Sequence, residues 1–95
     1  MAAYVIVDSK VHDPERIKAY GAKVGDTVKA HGGKPIINGS AIDVMEGDWN
    51  PSRLVVLEFA DADAARAWYD SPEYQEILPI RLEATDDNFL IVEGV

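Results

Sequence analysis

A chain of 95 residues, 47% hydrophobic and 27% charged, suits one soluble domain, residues 1–95, and has no apolar run of about 18 residues to span a membrane. A formal net charge of −8 argues against nucleic acid as a partner, because a phosphate-binding face needs clustered Lys and Arg. The absence of cysteine excludes disulfides, thiol catalysis and cysteine metal sites, and fits a reducing cytoplasm as the expected location.

Ala3 to Asp8 reads as the first strand, with Tyr4, Ile6 and Asp8 on one face and Val5, Val7 and Ser9 on the other. It starts almost at once, with no basic stretch and no cleavage pattern before it, so no signal peptide is expected. Asp13-Pro14-Glu15 signals a helix start: a capping carboxylate, a proline pre-set for the first helical position, and an acid at the positive end of the dipole. Ile17, Tyr20, Val24 and Val28 then form one apolar stripe, and Gly32-Gly33 ends the helix, one glycine adopting the left-handed cap. Gly21 and Gly25 sit inside this helix, each at a cost of about 1 kcal/mol relative to Ala. They mark either close approach of a backbone or ligand, or a tolerated weak point.

Pro35 to Glu46 reads as a second, less regular strand, interrupted by a bulge or turn at Asn38-Gly39 and confined to a sheet edge by Pro35. A loop through Trp49 leads to Arg53–Asp61, the longest β-favouring run, where Val55, Leu57 and Phe59 oppose Leu54, Val56 and Glu58. Asp61 caps a further helix whose apolar side is Ala64, Ala65, Trp68 and Tyr69. Ser71-Pro72 stops that helix and starts another, which Pro79 is expected to kink or restart. Asn88–Glu93 is the last strand.

The order strand, helix, strand, strand, helix, strand predicts an α+β, ferredoxin-like βαββαβ fold: a four-stranded antiparallel sheet with its helices on one face. Val5, Val7, Val55, Leu57, Phe59, Leu90 and Val92 are expected beneath the helices. Tyr4, Ile6, Leu54, Val56, Phe89 and Ile91 are expected on the other face, mixed with Asp8, Glu58 and Glu93. Each large apolar side chain left in water forgoes about 1.5–3 kcal/mol of burial. A second copy covering that face is the economical solution, giving a sheet-to-sheet homodimer that encloses an α/β barrel, with pairing into a dimer of dimers left open.

The residues so placed resemble a known family. Tyr4-Val-Ile-Val, Asp13-Pro-Glu, Glu46-Gly-Asp-Trp49, Arg53-Leu-Val-Val-Leu-Glu-Phe59, Ser71-Pro-Glu-Tyr-Gln75 and Val92-Glu-Gly94 are similar to the domain of unknown function family numbered 1330, over nearly the whole chain. The resemblance implies the dimeric α/β-barrel superfamily, whose ferredoxin-like members pair sheet to sheet. That superfamily includes cofactor-independent monooxygenases, haem-handling enzymes, muconolactone isomerases and amino-acid-binding regulators, while the family itself has no agreed activity.

Asp8 and Glu58 are the first candidate pair. With the first and third strands as parallel neighbours, both would lie near the strands' C-terminal ends, facing the barrel. There, one carboxylate of raised pKa could act as a base, and the plainer alternative is hydrogen bonding to Arg or backbone at the rim. Arg53 and Arg81 could clamp a ligand carboxylate or pair with one of the many acids. Tyr20, Trp68, Tyr69 and Tyr74 could wall an aromatic-lined pocket, or be core; Trp49 could close the barrel mouth, anchor its loop or touch the partner copy. His12 and His31 lie at opposite ends of the first helix, too far apart to share a metal. No HExxH, CxxC, phosphate-loop or GxSxG pattern appears, so neither a metal nor a cofactor is expected. Three functional readings remain: a homodimeric module holding a small organic molecule, a cofactor-independent monooxygenase- or isomerase-like enzyme, and a structural or stress-related dimer without ligand. A roomy cavity favours the first two.

Overall fold

The computed structural model describes residues 1–95, in the order β1 (Ala3–Val11), α1 (Pro14–Ala30), β2 (Lys34–Gly39), β3 (Leu54–Phe59), α2 (Ala62–Asp70), α3 (Pro72–Ala84) and β4 (Thr85–Glu93). The strands form one sheet in the order β2-β3-β1-β4, and every neighbouring pair is antiparallel. This is the βαββαβ arrangement, with β2 at an edge as its proline requires.

The helix ends follow from local chemistry. Asp13 accepts a hydrogen bond from the Arg16 amide at 3.1 Å, and Asp61 from the Ala64 amide at 2.8 Å. Ser71 serves two helices: its hydroxyl donates to the Trp68 carbonyl at 2.7 Å and accepts from the Tyr74 amide at 3.3 Å. The turn after α1 places Gly32 at φ 74°, and the Gly33 amide donates back to the Val28 carbonyl at 3.0 Å. Gly33 is required for a different reason. A Cβ there would lie 2.5 Å from Cε1 of Phe59.

The core lies between the sheet and α2 and α3. Trp68, Tyr74, Phe59 and Val5 are its largest fully buried side chains. Trp68 is central, its ring 4.2 Å from that of Tyr74 and 5.5 Å from that of Phe59. Its indole N–H donates to the Thr27 hydroxyl at 3.0 Å, tying α2 to α1. By contrast, the α1 backbone lies closest to α3 and stands away from the sheet, with Val28 reaching into the core.

Five expectations are corrected. Residues 40–53 form an irregular segment, so the second strand stops at Gly39 instead of Glu46. Gly39 is opposite Leu54, the first residue of β3, so Ile42 and Val44 have no partner strand to pair with. The register shift of β2 falls between Pro35 and Ile37, ahead of Asn38-Gly39. Pro79 does not restart the helix. α3 runs through it and forgoes the one amide bond that proline cannot donate. β4 is longer than expected and its faces are reversed. Val7 pairs with Phe89 and Val5 with Ile91, which puts Phe89 and Ile91 beneath the helices and leaves Leu90 and Val92 exposed on the open face. A strand's alternation fixes which residues share a face, but only the register decides which face that is. Finally, β1 and β3 run antiparallel, because the crossover through α1 makes β1 and β2 parallel and β3 inserts between them.

Candidate functional site

Because α1 stands off the sheet, a cavity of about 470 Å³ opens between them. Val7, Val55, Leu57 and Phe89 supply its apolar floor, and Tyr20, Val24 and Val28 of α1 its roof. Gly21 and Gly25 also line it, and a Cβ built on either meets nothing within 4 Å. The two glycines therefore face open space instead of a packed neighbour.

One wall is polar, its groups bonded to one another. Asp87 on β4 holds Arg81 of α3, with Nη1 to Oδ2 at 2.9 Å, and also accepts from the Lys10 amide at 3.2 Å. Arg81 Nε donates to the Tyr74 hydroxyl at 3.2 Å, and the guanidinium lies 4.8 Å from the centre of the Phe89 ring. The Tyr74 and Tyr20 hydroxyls are 2.8 Å apart. Burial raises the pKa of both phenols, so both stay protonated at neutral pH. For Arg81, burial alone would lower the pKa. Tyr74 and Asp87 outweigh it and hold the guanidinium charged. The result is a chain from carboxylate to guanidinium to phenol to phenol, ending at the cavity.

The candidate residues thus separate into groups. Tyr20, Arg53, Trp68 and Arg81 line the cavity. Tyr74 stands directly behind Tyr20, and Tyr69 lies deeper, packed on Tyr74 and Phe89 at 5.5 and 5.3 Å. Arg53, at the rim, gives Nε and Nη2 to Asn38 Oδ1 at 3.0 and 2.7 Å. Its charge is therefore not matched by a carboxylate.

Asp8 and Glu58 lie on the opposite face of the sheet, away from this cavity. They also do not form a pair. Asp8 is opposite Leu54, whereas Glu58 is opposite Tyr4, so about 13 Å of strand separates them. Asp8 accepts from the Trp49 indole at 2.9 Å beside Ile6 and Leu90. Glu58 accepts from the Tyr4 hydroxyl at 3.3 Å and meets Lys34 at 3.3 Å. No group of three or more His, Asp or Glu side chains is placed to hold a metal ion, and no helix is long and apolar enough to cross a membrane.

Sequence reasoning missed Asp87 and Thr27. Asp87 shares the alternation of Phe89 and Ile91, and that signal becomes readable once the register of β4 is known. Thr27 falls on the apolar stripe of α1 one residue before Val28, where a hydroxyl needs a partner.

Fold and cavity together define a ferredoxin-like α+β protein with a chamber between its first helix and its sheet. The family model for the domain of unknown function DUF1330 matches residues 2–95, and the chain belongs to that family. No curated protein matches the sequence. Among solved structures, RPA0582, a protein of unknown function from Rhodopseudomonas palustris, is similar at 18% identity and a TM-score of 0.76, over 99% of this chain and 82% of that one. A dimeric ferredoxin-like protein of unknown function from Jannaschia sp. CCS1 is similar at 14% identity and a TM-score of 0.77, over 99% and 100%. SnoaB from Streptomyces nogalater, a cofactor-independent oxygenase, is similar at 14% identity and a TM-score of 0.63, over 99% and 92%. At these identities the likeness is one of fold.

Proposed function

We propose that this protein is a small cytoplasmic homodimer that binds an organic molecule in the cavity between α1 and the sheet. One observation carries the reading. A domain this small leaves about 470 Å³ unfilled beside its core, within the range of ligand sites, and two helix-weakening glycines are among the residues that line it. Tyr20, Trp68 and Arg81 would contact the ligand, with Tyr74 and Tyr69 supporting them and Arg53 at the rim. Asp8 and Glu58 would serve the other face. There Ile6, Leu54, Val56, Leu90 and Val92 would be covered by a second copy, as the dimeric Jannaschia protein supports. A dimer of dimers is compatible with this arrangement.

Native mass spectrometry of the purified protein tests it, because subunit count and retained ligand are read together. The expected result is a dimer carrying a small-molecule adduct that is lost in Gly25→Leu. A monomer at micromolar concentration would remove the dimer, and an adduct retained in Gly25→Leu would remove the cavity as its site.

A cofactor-independent enzyme is the second reading. The buried Arg81–Tyr74–Tyr20 chain and the fold shared with the oxygenase SnoaB favour it. It would appear as conversion of the retained molecule to a product of different mass.

A further inference from the structure

The polar wall fixes more than the position of Tyr20. The Tyr74 side chain is completely buried, and its hydroxyl has only two partners, Arg81 Nε and the Tyr20 hydroxyl. Arg81 has no acceptor to offer, so it can only donate. The Tyr74 proton therefore has one place to go, the oxygen of Tyr20. A buried hydroxyl proton left unbonded would cost about 1–3 kcal/mol, so the chain runs in a single direction, from Arg81 through Tyr74 to Tyr20. The proton of Tyr20 is then released from this chain, and Tyr20 lines the cavity.

We propose that Tyr20 presents its hydroxyl as a hydrogen-bond donor to the cavity, and that the ligand is an apolar molecule with a neutral acceptor oxygen, such as a ketone or quinone carbonyl, at its buried end. The inference rests on the binding reading above and deepens it. Neutrality of the acceptor follows from Asp87, which already matches the charge of Arg81 at 2.9 Å in a setting where the two side chains are 7% and 3% exposed. No cationic charge on that wall is left over for a ligand carboxylate.

Two measurements test it. The first needs neither a ligand nor a variant. In protein carrying ¹³Cζ-labelled tyrosine in half-deuterated water, a slowly exchanging hydroxyl gives two isotope-shifted carbon lines and a fast one gives a single averaged line. Two lines are expected for Tyr74 and one for Tyr20. Averaging at Tyr74 or doubling at Tyr20 overturns the assignment. The second compares 1-tetralone with tetralin, which share a skeleton and differ in one carbonyl. Tyr20→Phe should weaken 1-tetralone about tenfold and tetralin less than about twofold. Equal losses, or no loss, would sink the donor role while leaving the cavity as a binding site. Failure of both molecules to bind the unmutated protein would sink the binding reading itself, and the ligand class with it.

Discussion

Arg81 and Asp87 meet at 2.9 Å across the junction of α3 and β4, both almost completely buried. The Thr85 hydroxyl closes the same junction by donating to the Arg81 carbonyl at 2.7 Å. A helix end, a strand start and the polar wall of the cavity are thus fixed by one ion pair.

Removing one member should be far worse than removing both. Asp87→Ala leaves a buried guanidinium unmatched and should cost about 3–5 kcal/mol. At about 4–8 °C per kcal/mol for a domain of this size, the melting temperature should fall by more than about 10 °C. The double variant Arg81→Met with Asp87→Leu should recover much of that loss, and urea denaturation of the three proteins gives the comparison.

Alkaline pH should weaken the fold through the two phenols. Burial raises both Tyr20 and Tyr74 in the folded state, whereas the unfolded chain titrates near the ordinary value of about 10. Below that value both states hold the protons and the contribution is fully present. As pH rises past it toward the folded values, the unfolded state releases protons first and stability falls. Denaturation midpoints between about pH 8 and 11.5 should decline more gently in Tyr20→Phe than in the parent.

Two glycines should respond in opposite ways to the same methyl group. Gly33→Ala drives a Cβ to within 2.5 Å of the Phe59 ring and should cost about 1–3 kcal/mol through overpacking. Gly25→Ala meets nothing within 4 Å and should gain up to about 1 kcal/mol from helix propensity. Thermal melts of the two variants should bracket the parent.

Charge on the open face should separate the copies. Leu90 is 54% exposed in the single chain, and Leu90→Lys should shift the proposed dimer to monomer in sedimentation velocity. Circular dichroism should be unchanged.

Much of the fold was legible because each boundary has its own local chemistry. Asp13-Pro14, Asp61 and Ser71-Pro72 all cap helices where their residue types predict. What depended on pairing was not legible. The faces of β4 and the relation of Asp8 to Glu58 follow from register and strand direction, which no single strand encodes. The aromatic candidates were found because size and helical spacing are visible in sequence. Asp87 was not, because an acid next to Asp86 reads as surface until its neighbours are known. Pro79 looked like a possible restart because its missing amide is certain, whereas the packing that lets α3 run on through it is not written locally.

β1 has one further consequence. Val7 and Ser9 line the chamber while Ile6 and Asp8, one residue out of phase, look outward to the face proposed for the twin. In the proposed dimer, a guest that moved this central strand from above would move it from below as well. If so, filling one subunit would alter how tightly the proposed pair holds together, and pairing would alter how tightly each subunit holds its guest, by the same factor.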